Sequence, residues 1–119
     1  MQLLIIEGRL LDINEIIKLS KSHYAAYSTS KKEYTQLIAY LCMAQKIKPM
    51  KRIDFIFKHY RKNKQMNKDN IAGGAQKLVF DGLQLGGIIK NDGWSEIGNF
   101  THKFYIDKNE RIEVEMEEV

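Results

Sequence analysis

The chain has 119 residues, of which 44% are hydrophobic and 29% are charged, and this balance is typical of one soluble globular domain spanning residues 1–119. No apolar stretch approaches the roughly 18–20 residues that a membrane span needs, and the start Met1–Glu7 lacks the basic region of a signal peptide, so we expect no membrane partner. The single cysteine, Cys42, excludes an internal disulfide and favours a cytoplasmic, reducing compartment.

The net charge of +4 is unevenly distributed along the chain. Between Met43 and Phe80 there are ten Lys or Arg residues and two acidic residues, whereas from Glu110 onward there are five Glu and one Arg. A basic segment of this kind favours a polyanionic partner such as a nucleic acid. A solvated charged surface is the alternative, and charge alone does not choose between the two.

The first 30 residues are predicted to contain a strand and a short helix. Residues 2–8 form an apolar run with the character of a strand. Asp12 is placed to cap a short helix over about 13–22. Residues 22–30 have no clear period, so we predict a loop or a frayed helix there.

A longer helix is predicted to begin after Ser30. Glu33, three residues later, completes a capping box with Ser30, and Lys48-Pro49 ends the helix. Cys42 lies in the apolar part of this segment, which indicates a small buried side chain rather than a nucleophile. One helical face carries the apolar residues Tyr34, Leu37, Ile38 and Leu41.

A strand, a basic loop and a helix follow. Residues 51–60 alternate between apolar and polar side chains, as in a half-buried strand. Residues 61–68 are polar and basic and are predicted as a loop. A helix then opens at Asp69 or Asn70 and ends at Gly86-Gly87.

The last third of the chain is predicted to form two strands. The first covers Trp94 to Ile106, and residues 107–110 form the turn of a hairpin with the last strand, in which Ile112 to Met116 alternate with glutamates. This order of elements predicts an α+β domain: a mixed, mostly antiparallel sheet of about four strands with two or three helices packed on it.

Two aspartates flank the predicted helix that follows the basic loop. Asp69 lies at its start and Asp92 in the turn beyond its end, and a helix of about 18 residues separates its ends by roughly 27 Å. The two carboxylates can share a metal ion only if the chain from Gly86 to Asp92 folds back alongside the helix, or if the helix breaks at Gly73-Gly74. The sequence leaves both routes open.

These residue types suit phosphodiester hydrolysis. Mg²⁺ prefers hard oxygen ligands and keeps several waters, so two or three carboxylates suffice to hold it. Lys77 and Asp81 are four residues apart and share a helical face, and a lysine there is able to neutralise charge that develops on a phosphate. Taken singly, Asp69 is also an ordinary helix cap, Asp92 an ordinary turn residue, and Lys77 with Asp81 an ordinary ion pair.

The stretch from Asn67 to Trp94 resembles the core motif of RusA-family Holliday junction resolvases, in the version common in phages and prophages of Gram-positive bacteria. The similar segments are Asn67-Lys68-Asp69-Asn70, then Lys77 to Leu83 with its Lys-x-x-x-Asp-x-Leu spacing, then Asn91-Asp92-Gly93. The opening Glu7-Gly8-Arg9-Leu10 and the closing segment 107–114 also resemble the family, so the likeness spans most of the chain.

The resemblance implies a homodimeric endonuclease that binds and cleaves four-way DNA junctions with Mg²⁺, for which Mn²⁺ substitutes. Asp69 and Asp92 match two of the family's metal-binding acids. Lys77 matches the helix lysine needed for cleavage, and Asp81 matches a helix aspartate of secondary role. A bacterial cytoplasm, in a phage or prophage setting, is the expected location.

Asn67 stands where the family has its first metal-binding acid. Its amide oxygen is able to approach a metal ion but brings no charge, so the site is expected to bind Mg²⁺ more weakly. This departure leaves two hypotheses open: the protein is an active junction-cleaving enzyme, or it is a junction-binding protein that has lost cleavage. A structural protein with an incidental basic face is a third.

The basic loop is the expected DNA contact. Arg61, Lys62, Lys64 and Lys68 precede or flank Asp69, so phosphates held there would lie near the metal position. Trp94 is predicted to pack in the core, with stacking on a base as the alternative. The three histidines have no metal-ligand spacing and are interpreted as solvated or partly buried side chains.

Overall fold

The computed structural model describes residues 1–8 and 24–119. The short helix predicted over 13–22 lies outside the described residues. The described elements are β1 (Gln2–Glu7), α1 (Tyr24–Ala44), β2 (Ile53–Arg61), α2 (Lys68–Leu85), β3 (Ile97–Ile106) and β4 (Arg111–Glu118).

The four strands form one mixed sheet in the order β1-β4-β2-β3. β4 pairs antiparallel with both β1 and β2, while β2 and β3 pair parallel. The parallel pair needs a crossover connection, and α2 supplies it. The predicted fold class, a small α+β domain with a mostly antiparallel sheet and two helices packed on it, is confirmed.

The core lies between the two helices and one face of the sheet. Alternate residues of β2 point into it, so that Ile53, Phe55 and Phe57 are almost completely buried. Both helices contribute, with Ile38 and Cys42 from α1 and a larger apolar face from α2. That face of α2 carries Ile71, Ala75, Leu78, Val79 and Leu83.

The prediction of a hairpin between the last two strands is wrong. β4 does not pair with β3, because β2 lies between them. The turn at residues 107–110 instead crosses the end of β2: the Asp107 N–H donates to the Arg61 carbonyl at 2.9 Å, and the Glu110 carbonyl accepts from the Gly8 N–H at 2.8 Å. The turn residues therefore predicted the change of chain direction correctly, but they did not predict which strand β4 pairs with.

The start of the long helix also differs from the prediction. α1 is already helical at Tyr24 and runs through Ser30 and Glu33, so the predicted capping box is wrong. Two alanines, at 25 and 26, are strong helix formers, which favours helix in the segment that lacked a period. In the described part of the chain, no helix combines the length and apolar character needed to cross a membrane.

Candidate nucleic-acid interface

Asp69 and Asp92 lie near opposite ends of α2. The helix is continuous through Gly73-Gly74, and its 18 residues set its ends roughly 27 Å apart. Beyond the helix, the Ile88 carbonyl accepts a hydrogen bond from the Met50 N–H, just before β2, at 2.9 Å, and Asp92 lines a cavity with Phe80 of α2. Asp92 therefore lies beside the second half of α2, whereas Asp69 lies in its first turn.

Lys77 and Asp81 lie near the middle of α2, away from both of its ends. Asp81 Oδ2 is 3.3 Å from Lys31 Nζ of α1 and 3.9 Å from Lys77 Nζ, so its charge is directed toward the contact between the two helices. Partly exposed pairs of this kind contribute at most about 1 kcal/mol to stability. Their arrangement fits a surface ion-pair network that links the helices.

The three residues that the resemblance implies as metal ligands are not all together in the described chain. Within residues 1–8 and 24–119, no group of three or more His, Cys, Asp or Glu side chains is placed to share a metal ion. Asn67 and Asp69 lie together at the start of α2, where they offer a single carboxylate, and Asp92 is at the far end.

The basic loop between β2 and α2 presents its lysines to solvent. Lys62, Lys64 and Lys68 are exposed, and no described carboxylate lies within ion-pair distance of them. Arg61 differs, because its side chain is only 15% exposed and its Nε lies 3.3 Å from Glu110 Oε2. Three of the four predicted DNA-contacting residues thus carry charge that no described acidic side chain neutralises.

Lys64 and Lys68 line an open cavity of about 400 Å³ at the ends of β2 and β3. An aromatic ring, that of Phe104, lies in its wall, with Lys68 Nζ 5.5 Å from the ring centroid. Asn63 and Asn67 add amide groups to the same wall. The complete lining is Arg61, Asn63, Lys64, Met66, Asn67, Lys68, Ile71, Phe104, Tyr105 and Ile106.

Charge elsewhere on the sheet is more fully neutralised than in this loop. Lys58 of β2 forms an ion pair with Glu115 of β4, and Arg111 Nε donates to Glu113 at 2.8 Å. The acidic last strand thus lies against part of the basic middle segment. At the ends of β2 and β3, the loop lysines carry the positive charge of this segment that no described acidic side chain neutralises.

A histidine pair, in which His59 is buried and His102 is half-buried, lies behind the Phe104 ring. His59 Nε2 and His102 Nδ1 are 2.8 Å apart, and His102 Nε2 lies 2.9 Å from Gln76 Oε1. Because the Gln76 oxygen only accepts, His102 Nε2 donates to it and His59 Nε2 donates to His102 Nδ1. His59 Nδ1 then has no partner among the described atoms.

Spacing along the chain could not have predicted this pair, since 43 residues separate the two histidines. The available signal was the alternation of β2, which places His59 on the same inward face as Phe55 and Phe57. Pairing of β2 with β3 then puts His59 opposite Phe104 and beside His102. Pairing between strands that are so far apart in the sequence cannot be predicted from the local pattern of residues.

The structure corrects the prediction for Trp94. Its side chain is 92% exposed, so the expectation that it packs in the core is wrong. It borders a second cavity of about 440 Å³ with Asp92, Gly93 and Phe100, at the start of β3. This cavity and the basic one lie at opposite ends of the same strand.

Comparison with known proteins adds no assignment. No protein-family model matches the chain, and no curated protein matches it. Membership of the RusA family stays a prediction from the motif between Asn67 and Trp94.

Proposed function

We propose that this chain is a DNA-binding protein of the RusA type that recognises four-way junctions, and that it binds them through the basic cavity at the ends of β2 and β3. The observation that carries the proposal is the pair of exposed lysines, Lys64 and Lys68, that line this cavity beside an aromatic ring, and neither lies within ion-pair distance of a described carboxylate. Cations position a nucleic-acid backbone, and aromatic rings accept bases.

Binding without cleavage is the better supported form of this proposal. Asn67 removes one carboxylate from the motif, and Asp69 and Asp92 are separated by the length of α2. Lys77 and Asp81 are engaged with each other and with Lys31. Each of these features weakens the case for a nuclease site within one subunit.

A homodimer is part of the proposal, because a four-way junction presents symmetry-related arms that a twofold dimer is able to bind equivalently. β3 is an edge strand among the described strands, and edge strands carry unpaired backbone groups that favour pairing with another chain. Exposed apolar side chains follow this edge, namely Trp94, Phe100, Tyr105 and Ile106. We propose that two copies pair antiparallel along β3.

Junction cleavage is the second candidate, and the same edge favours it. Antiparallel pairing of two β3 strands would place the start of one beside the end of the other. Asp92, near the start of β3, would then lie at the same end of the joint sheet as Asp69 of the partner subunit. The test is a mixture of Asp69→Asn and Asp92→Asn proteins, because only a site shared between subunits regains cleavage on mixing.

The proposed function is tested by measuring DNA binding under conditions that prevent cleavage. Fluorescence anisotropy in EDTA compares a labelled four-way junction with a linear duplex of the same arm sequence. We expect the junction to bind at least about tenfold more tightly, a difference of roughly 1.4 kcal/mol. Equal affinity for the junction and the duplex would indicate a DNA-binding protein without preference for junctions and would contradict the proposal.

A further inference from the structure

β1 is one of the two outer strands of the described sheet, and a glutamine side chain bonds to its outer edge. The carboxamide of Gln45, the residue after α1, contacts both backbone groups of Ile5. The Ile5 N–H donates to Gln45 Oε1 at 2.9 Å, and Gln45 Nε2 donates to the Ile5 carbonyl at 2.8 Å. A neighbouring antiparallel strand would use the same pair of backbone groups. Gln45 thus takes the place of one residue of a further strand.

A second glutamine joins the same two parts of the chain in the opposite sense. Gln2, at the start of β1, accepts at Oε1 from the Lys48 N–H at 2.7 Å, and its Nε2 donates to the Lys48 carbonyl at 3.0 Å. Residues 45–48, the edge segment, therefore run antiparallel to β1. Four hydrogen bonds hold them beside it.

The backbone at the end of α1 directs the chain along this edge. Lys46 has a φ of 59°, the left-handed conformation that glycine adopts far more readily. Its N–H donates to the Met43 carbonyl at 3.1 Å, and the Ile47 N–H donates to the Cys42 carbonyl at 2.9 Å, as in a Schellman helix end. Ile47 packs against the core. The edge segment is therefore fixed by its own backbone as well as by the two glutamines.

The sequence of β1 makes an uncovered edge prone to association. Residues 3–6 are four consecutive apolar side chains without proline, and Leu3 is 41% exposed. Short segments of high β-propensity and low charge pair readily with copies of themselves. Native proteins protect such edges with charges or with a covering segment, and Glu7 is the single charged side chain of β1. The edge segment supplies the cover.

We propose that the edge segment closes β1 to strand addition by a second copy of this chain. Of the two outer strands of the described sheet, β3 is then the one left for pairing. Association through one edge and a twofold axis stops at two copies, whereas two pairing edges on each copy give open-ended filaments. The inference concerns the limit of assembly and does not require that the protein binds DNA.

The first test follows the contact itself in the full chain. Hydrogen exchange of the Ile5 amide is measured by NMR at low protein concentration in the parent, in Gln45→Ala and in Gln84→Ala, a control at an exposed glutamine of α2. We expect exchange about tenfold faster in Gln45→Ala and unchanged in the control, because loss of the glutamine frees the Ile5 N–H. Unchanged exchange in Gln45→Ala would overturn the inference.

The second test measures assembly by light scattering over a range of protein concentration. We expect the parent to keep a discrete mass, and the double variant Gln2→Ala with Gln45→Ala to grow beyond two copies and to bind thioflavin T. Gly82→Ala is the control for stability, because it strains the contact between α1 and α2 without touching the β1 edge. A folded double variant with the parental mass, or equal growth in Gly82→Ala, would contradict the proposal.

Leu3→Lys, added to the double variant, separates pairing through β1 from general aggregation. A lysine on an edge strand opposes pairing with another copy, so we expect this triple variant to return to the parental mass. Growth that persists would show that β1 is not the associating surface. A monomeric parent would contradict the proposed dimer, whereas the present inference is decided by the difference between the parent and the variants.

Discussion

His59 and His102 form a hydrogen bond of 2.8 Å across neighbouring strands β2 and β3, inside the aromatic part of the core. The rings stack with centroids 5.1 Å apart, and Phe57 packs on His102 at 4.6 Å. His59 is completely buried, so its charged form is disfavoured. Burial, with smaller contributions from His102 and Arg61, lowers the pKa of His59 to about 3.

The histidine pair makes stability depend on pH. The unfolded chain titrates His59 near its ordinary pKa of 6.5, whereas the folded chain keeps it neutral down to a pKa of about 3. Between these values the unfolded state binds the extra proton, so stability is fully present above about pH 6.5 and is lost as the pH falls. Urea unfolding at pH 7, 6, 5 and 4 should show losses approaching about 1.4 kcal/mol per pH unit.

His59→Phe is the control for this pH dependence. It keeps an aromatic ring beside Phe57 and Phe104 but has no proton to bind. We expect a flatter dependence of the free energy of unfolding between pH 7 and pH 4. An unchanged slope would assign the acid sensitivity to other groups.

Gly82 is required by the close contact between α1 and α2. A Cβ atom at this position would lie 2.5 Å from Ile38 Cγ2 and 2.6 Å from Ile38 Cβ. Overpacking of this kind costs typically about 1–3 kcal/mol. Gly82→Ala should lower the free energy of unfolding by that amount, and adding Ile38→Ala should relieve part of the clash, seen as a favourable coupling in a double-mutant cycle.

The β3 edge is the expected dimer interface. Ile106→Lys places a charge among apolar residues of this edge, while Leu85→Lys changes an equally exposed apolar residue at the end of α2. Light scattering should give twice the 13.9 kDa mass of one chain for the parent and for Leu85→Lys. A lower mass is expected for Ile106→Lys, and a monomeric parent would contradict the dimer.

Restoring the missing carboxylate should not restore a nuclease. Asn67→Asp adds a charge beside Asp69, but Asp92 stays at the far end of α2 in the same subunit. We expect neither the parent nor Asn67→Asp to cut a four-way junction in Mg²⁺ or Mn²⁺. Cleavage by either protein would favour the second candidate, and the subunit-mixing experiment would then show whether the site is shared.

Local features of the fold were predictable because they depend on neighbouring residues. The alternation of β2 gave its buried face, and Gly86-Gly87 gave the end of α2 to within a residue. The sheet order was not predictable, because the position of β4 between β1 and β2 depends on long-range pairing. A turn at 107–110 is compatible with either a hairpin or a crossing over β2.

The candidate site was predicted in part for the same reason. The loop lysines are adjacent in sequence, so their common surface followed from the chain itself. Phe104 is a distant residue that joins them only because β2 and β3 are parallel neighbours. The exposure of Trp94 could not be predicted either, since an aromatic residue that follows a glycine turn is compatible with a buried position and with an exposed one.

The most direct test of the central claim, that the basic cavity binds DNA, is the salt dependence of junction affinity. Two triple variants are compared with the parent by anisotropy: Lys62, Lys64 and Lys68 changed to Ala, and the matched control with Lys48, Lys51 and Lys90 changed to Ala, which are exposed lysines outside the cavity. Each phosphate contact contributes about −0.9 to the slope of log K against log salt. We predict that the variant of the three loop lysines loses roughly 2–3 units of slope and that the control keeps the parental slope. Equal slopes for the two variants would contradict the claim.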